Sequence, residues 1–107
     1  FIDDVIDGII LAATSDKAIG EIINLGNPKE NSMSEVIDAV LEASGSKSKA
    51  INVSTKEKYG SVYEDIPRRV PDVSKAYKLL GWKPETSMKE GVKKTVEWAK
   101  ANSWYLD

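Results

Sequence analysis

The chain has 107 residues, 41% of them hydrophobic, enough for one domain with a modest core. It contains neither cysteine nor histidine, which excludes disulfides, thiolate nucleophiles, imidazole bases and a structural zinc site together. Fifteen basic and seventeen acidic residues give a net charge of -2, which is no footprint for a nucleic-acid backbone, and no apolar run is long enough to span a membrane.

The chain opens at Phe1, without a methionine, and runs straight into FIDDVIDGIILAA, which predicts a piece of a longer protein. Ile2, Val5, Ile6, Ile9, Ile10 and Ala13 form an i, i+3, i+4 stripe and predict a first helix, with Asp3 or Asp4 as its cap. EIINLGNP is short, β-branched and closed by Gly26-Asn27-Pro28, so it reads as a strand ending in a turn. Ser32 and Glu35 have capping-box spacing ahead of a second helix, which Gly45 ends. KAINVST reads as a second, weaker strand, and the following sixteen residues, KEKYGSVYEDIPRRVP, have little regular pattern. Asp72 is the expected cap of a helix over VSKAYKLLG, closed by Gly81. Ser87 and Glu90 repeat the capping-box spacing before a last helix. The expectation is a single α/β unit over residues 1–107, helix-rich, with two short strands. Two such strands make a poor sheet alone, so further strands are expected from absent sequence or from another copy of the chain.

Without cysteine or histidine, a general base has to be Asp, Glu, Lys or Tyr. The adjacent acids Asp3-Asp4 and Glu64-Asp65 give no two-carboxylate site, because neighbours on a strand point to opposite faces. They are read as capping or ion-pairing groups. No glycine-rich phosphate loop is present. The stretch EDIPRRVPD is the better candidate for binding, since two prolines bar a regular helix and Arg68 and Arg69 are held on a stiffened segment. Extended geometry sends the two side chains opposite ways, so one guanidinium suits an anion such as phosphate while the other meets solvent or an acid. The competing reading is ion pairing with Glu64, Asp65 or Asp72. Trp82, Trp98 and Trp104 are read as packing anchors.

Three blocks in the same order resemble a known family. FIDDVIDGIILA is similar to a YIDDVV-type segment of extended short-chain dehydrogenase/reductases that act on nucleotide sugars. GEIINLGNPKENSMSEV resembles the strand-turn-helix that follows it. YGSVYEDIPRRVPDVSKAYKLLGWKPETSMKEGVKKTVEW is similar to the family's C-terminal signature, nearest to UDP-glucuronate decarboxylase-like members. The resemblance implies the C-terminal, nucleotide-sugar-binding portion of an NAD-dependent epimerase or dehydratase, completing a Rossmann-type fold. It implies Arg69 near the sugar and diphosphate, Tyr63 on the nucleotide and Asp65 near the ribose. Val62 stands where epimerases of the family often carry an arginine. The family's glycine turn and Tyr-x-x-x-Lys pair are absent: Tyr59, Tyr63, Tyr77 and Tyr105 have no lysine four positions on. The chain alone is therefore expected to have no catalytic residue, no bound cofactor and no dehydrogenase activity, NAD belonging to the parent enzyme. Expected partners are a UDP-sugar and the remainder of that enzyme or another copy of the chain, in the cytoplasm. The alternative is a catalytically silent small domain acting in protein–protein interaction or oligomerisation.

Overall fold

The structure is a computed structural model, and it describes residues 1–54, 57–58 and 68–105. Four α-helices stand among the described residues: α1 (Ile2–Thr14), α2 (Met33–Ser44), α3 (Ser74–Leu80) and α4 (Met88–Ala101), with 3₁₀ turns at Asp16–Ala18 and Ser103–Tyr105. None of these helices is long and apolar enough to cross a membrane.

Local sequence sets the helix ends. At α2 the Ser32 hydroxyl accepts from the Glu35 N–H, and the Glu35 carboxylate accepts from the Ser32 N–H at 2.7 Å. Ser87 and Glu90 repeat this reciprocal box at α4. Each box satisfies donors that the first turn of a helix leaves unpaired. Gly45 and Gly81 end α2 and α3 at φ 69° and 67°, a left-handed conformation that a side chain would disfavour.

Two expected caps are corrected. Phe1, not an aspartate, holds the cap position of α1. Asp3 and Asp4 lie inside its first turn, where negative charge suits the dipole. Asp72 stands one residue outside the cap of α3, which is Val73, and its carboxylate accepts from the Ser74 N–H at 2.9 Å.

The expected α/β class is also overturned, since the described residues contain no strand. The candidate strand 21–25 has as its neighbour the segment around Pro71, which cannot donate to a ladder. It is tied to that segment by side chains instead. The second candidate, 49–55, of which 49–54 are described, has no partner strand among the described residues, and Ile51 and Val53 are exposed. A strand exists only through its neighbour.

The core is small. Ala39, Ala76 and Trp82 are the buried apolar side chains among the described residues. α2 packs on α4, and α1 on α3. Trp82 donates its indole N–H to the Asp4 carbonyl at 2.7 Å. Gly8 makes room for this contact: a β-carbon there would lie 2.8 Å from a Leu25 methyl and 3.0 Å from the Trp82 ring nitrogen.

The apolar stripe of α1 faces outward: Ile2, Ile6, Ile9 and Ile10 are each between 45% and 59% exposed.

Candidate functional site

The segment from Arg68 to Lys75 runs antiparallel to residues 21–30. Lys75 pairs with Glu21 at 3.0 Å, and Asn24 Nδ2 donates to the Asp72 carbonyl at 3.3 Å. Pro71 sits against Gly26, where a β-carbon would meet its Cγ at 2.9 Å. Arg68 closes the far end on Glu30 through two parallel bonds, Nε to Oε1 at 2.7 Å and Nη2 to Oε2 at 2.9 Å. As one chain advances the other retreats, in the manner of paired strands, but side chains supply the links.

The Arg68–Glu30 pair is exposed, and its geometry is the planar fork that matches guanidinium to carboxylate. The Arg68 donors hold the Glu30 carboxyl below its ordinary value, and the same bonds raise Arg68. An exposed pair of this kind adds little stability. Its consequence is orientation, because Arg68 is turned toward residues 21–30. Arg69 beside it is exposed and makes no hydrogen bond or ion pair with any described residue.

Of the three predicted binding residues, only Arg69 is among those described. Tyr63 and Asp65 lie outside them, as does Glu64. Of the acids named as competing partners for the arginines, Asp72 is engaged with Ser74. The partner actually found, Glu30, is 38 positions from Arg68, and no local pattern marks it.

A cleft of about 520 Å³ lies between α2 and α4. Val40, Met88, Val92 and Val96 line it, with Asn27 and Thr86, and Arg69 does not. Trp82 is the packing anchor expected of it. Trp98 and Trp104 are not buried: with Tyr105 they form an exposed cluster of edge-on rings, centroids 5.2 to 6.1 Å apart.

No group of three or more acidic residues among those described could hold a metal ion. The described glycines do not form a dinucleotide cradle either. Gly8, Gly26 and Gly91 are filled against Leu25, Pro71 and Phe1, while Gly20, Gly45 and Gly81 serve turns at positive φ. A phosphate cradle needs glycines leading into a helix N-terminus.

Comparison with known proteins agrees with the three sequence blocks. A family model described as GDP-mannose 4,6 dehydratase matches residues 1–95. The UDP-N-acetyl-alpha-D-glucosaminuronate decarboxylase of Bacillus cytotoxicus is 35% identical over 98 residues, covering 92% of this chain and 30% of its own. The UDP-glucuronate 4-epimerase of Thermodesulfobacterium geofontis is 39% identical over 105 residues, 95% of this chain and 29% of its own. UDP-D-apiose/UDP-D-xylose synthase 2 of Arabidopsis thaliana is 35% identical over 97 residues, 82% of this chain and 25% of its own. No solved structure matches. The chain thus spans between 25% and 30% of the length of these relatives. With a family model covering residues 1–95 and relatives 35% to 39% identical over most of the chain, the chain belongs to the GDP-mannose 4,6 dehydratase family of NAD-dependent epimerases and dehydratases.

Proposed function

We propose that the chain is the nucleotide-sugar-binding part of an NAD-dependent epimerase, dehydratase or decarboxylase. Arg69 takes the diphosphate, Tyr63 the nucleotide and Asp65 the ribose. The observation that carries the reading is the division of labour between adjacent arginines. Arg68 is committed to Glu30, while Arg69 is exposed with no described partner. A guanidinium with no carboxylate beside it among the described residues is a candidate for a phosphate. The contribution to catalysis is positioning: a clamped diphosphate holds the sugar ring where the parent enzyme's other residues react. NAD is assigned to those other residues, since this sequence carries neither the family's glycine turn nor its Tyr-x-x-x-Lys pair.

The test uses a chimera in which this chain replaces the matching stretch of the Thermodesulfobacterium geofontis UDP-glucuronate 4-epimerase. A charge-assisted hydrogen bond contributes about 1.5–3 kcal/mol, so Arg69→Ala should weaken UDP-glucuronate binding by about tenfold or more. Arg68→Ala should change it far less. Equal effects, or the larger effect at Arg68, would reject the assignment. The 107-residue chain incubated with NAD and UDP-sugars should form no NADH; NADH formation would show that the chemistry does not need the rest of the enzyme.

The exposed isoleucines of α1 favour a second reading, a silent interaction domain. Ligand-independent dimers with no affinity for UDP or UDP-glucuronate would support it.

A further inference from the structure

Gly26 and Pro71 meet two positions from Arg69, and the contact is close. A β-carbon at position 26 would lie 2.9 Å from Pro71 Cγ and 3.5 Å from its Cβ. Gly26 is not among the glycines at positive φ, which are Gly20, Gly45 and Gly81. The structure therefore uses its missing side chain here, not its backbone freedom. Gly26 and Pro71 are half-buried, while Arg68, Arg69 and Val70 are exposed. The segment is held on each side of Arg69. Before it, Arg68 is fixed on Glu30 by two bonds. After it, Pro71 rests on Gly26, and the Asp72 carbonyl accepts from Asn24 Nδ2 at 3.3 Å. Only Val70 separates Arg69 from the proline, and a residue before proline is confined toward extended geometry. With two soft dihedrals per residue, a displacement of Pro71 passes to Arg69 with little slack.

We infer that Gly26 and Asn24 are positioning residues for Arg69: together they seat Pro71 and Asp72, and so set where the guanidinium reaches. The inference rests on reading Arg69 as the group that takes the diphosphate, and it adds what aims that group. A methyl at position 26 would force the proline ring back by about half an ångström or more before ordinary contact is regained. The ring is closed on the backbone nitrogen, so it cannot rotate away as a free side chain would. A charge-assisted hydrogen bond spans about 2.7–2.9 Å, and a shift of that size carries it out of its best range. Gly26 has no side chain to offer a ligand, so its effect on binding has to pass through Pro71.

The test compares Gly26→Ala, Arg69→Ala and the two together in the chimera. UDP-glucuronate affinity is read by calorimetry, with urea midpoints measured beside it. Gly26→Ala is expected to weaken binding by about fivefold or more where Arg69 is present, and by less than about twofold where it is replaced. Adding Pro71→Ala to Gly26→Ala removes the Cγ that the methyl meets and should recover most of the lost affinity. The urea midpoints carry the packing cost, which should be the same with and without Arg69. Asn24→Ala cuts the Asp72 link without adding bulk, and it answers the same question if Gly26→Ala does not fold. Its expected effect is about threefold weaker binding with Arg69 and none without it. Equal losses in both backgrounds overturn the inference, because packing alone would produce them. So does an unchanged affinity in Gly26→Ala beside a weakened Arg69→Ala, and so does a failure of Pro71→Ala to restore binding. Full affinity in Arg69→Ala rejects the diphosphate assignment itself and this inference with it, so the two failures are told apart.

Discussion

Asp4 joins the start of α1 to the start of α4, and replacing it tests how the small core is held. Its Oδ2 accepts the Thr86 N–H at 3.1 Å and its Oδ1 the Thr86 hydroxyl at 3.0 Å. Burial pushes this carboxyl up, but the Thr86 and Glu85 donors outweigh burial and hold it below its ordinary value. Hydrogen bonds to ionised groups contribute about 1.5–3 kcal/mol each, and two that share one acceptor group do not add fully. With the side chain only 11% exposed, Asp4→Ala should cost about 2–4 kcal/mol, because Thr86 is left with part-buried unpaired donors. Asp4→Asn keeps one acceptor oxygen and should cost about 1–2 kcal/mol. Urea unfolding of the 107-residue chain at high salt, followed by far-UV circular dichroism, should order the midpoints wild type, Asn, Ala. A double-mutant cycle with Thr86→Val should give a coupling of about 1 kcal/mol or more. Coincident midpoints, or a coupling near zero, would refute the account.

Three further outcomes are expected. Gly8→Ala gains about 1 kcal/mol of helix propensity but forces its methyl against Leu25 and the buried Trp82 ring, and overpacking of this kind costs about 1–3 kcal/mol. The net should be destabilising in urea melts; a more stable variant would show that Leu25 and Trp82 move aside freely. Ser32→Ala and Ser87→Ala should each cost about 1 kcal/mol and let the Glu35 and Glu90 carboxyls rise toward their ordinary value, seen in side-chain NMR titration; an unshifted glutamate would mean that the box is not formed in solution. Asp4, Glu30, Glu35, Asp72 and Glu90 are all held below their reference values of 3.8 or 4.5 by hydrogen-bond donors, for Asp4 against the opposing effect of burial. The native chain then binds fewer protons than the unfolded one, so this stability is fully present above about pH 5 and is lost as pH falls below about 4. A melting temperature that stays flat between about pH 6 and about pH 3 would contradict those environments.

What the sequence discloses here is what neighbouring residues decide. Ser32 with Glu35, Ser87 with Glu90, and glycines 45 and 81 are contacts within one turn, and all four mark helix ends correctly. The cap expected at Asp3 or Asp4 lies two or three positions away at Phe1, and the one expected at Asp72 lies one away at Val73, because a carboxylate reaches several orphan donors at a helix start and spacing alone does not choose between them. The links that shape the candidate site are 38 to 82 residues apart: Arg68 with Glu30, Lys75 with Glu21, Thr86 with Asp4. Nothing local distinguishes Glu30 from the other acids, so the competition for Arg68 was posed among the wrong ones.

The two strands failed for a reason that bears on function. Ile22 and Ile51 are 85% and 82% exposed, and the outer isoleucines of α1 are half exposed. Strands to cover the two segments are expected from absent sequence or another copy of the chain, and the described residues hold no strand beside either segment. A β-branched segment with no neighbour has no ladder, whatever its propensity. The segment beside residues 21–25 carries Pro71 and so meets it through Asn24, Gly26 and Lys75 instead of through backbone bonds. That substitution leaves Arg68 pinned and Arg69 without a partner among the described residues. Cutting the pin gives the sharpest expectation: Glu30→Gln in the chimera releases Arg68 and lets either guanidinium compete for the anion. Arg69→Ala should then cost less UDP-glucuronate affinity than it does with Glu30 intact, and an undiminished loss would show that Arg69 is oriented by something other than its neighbour.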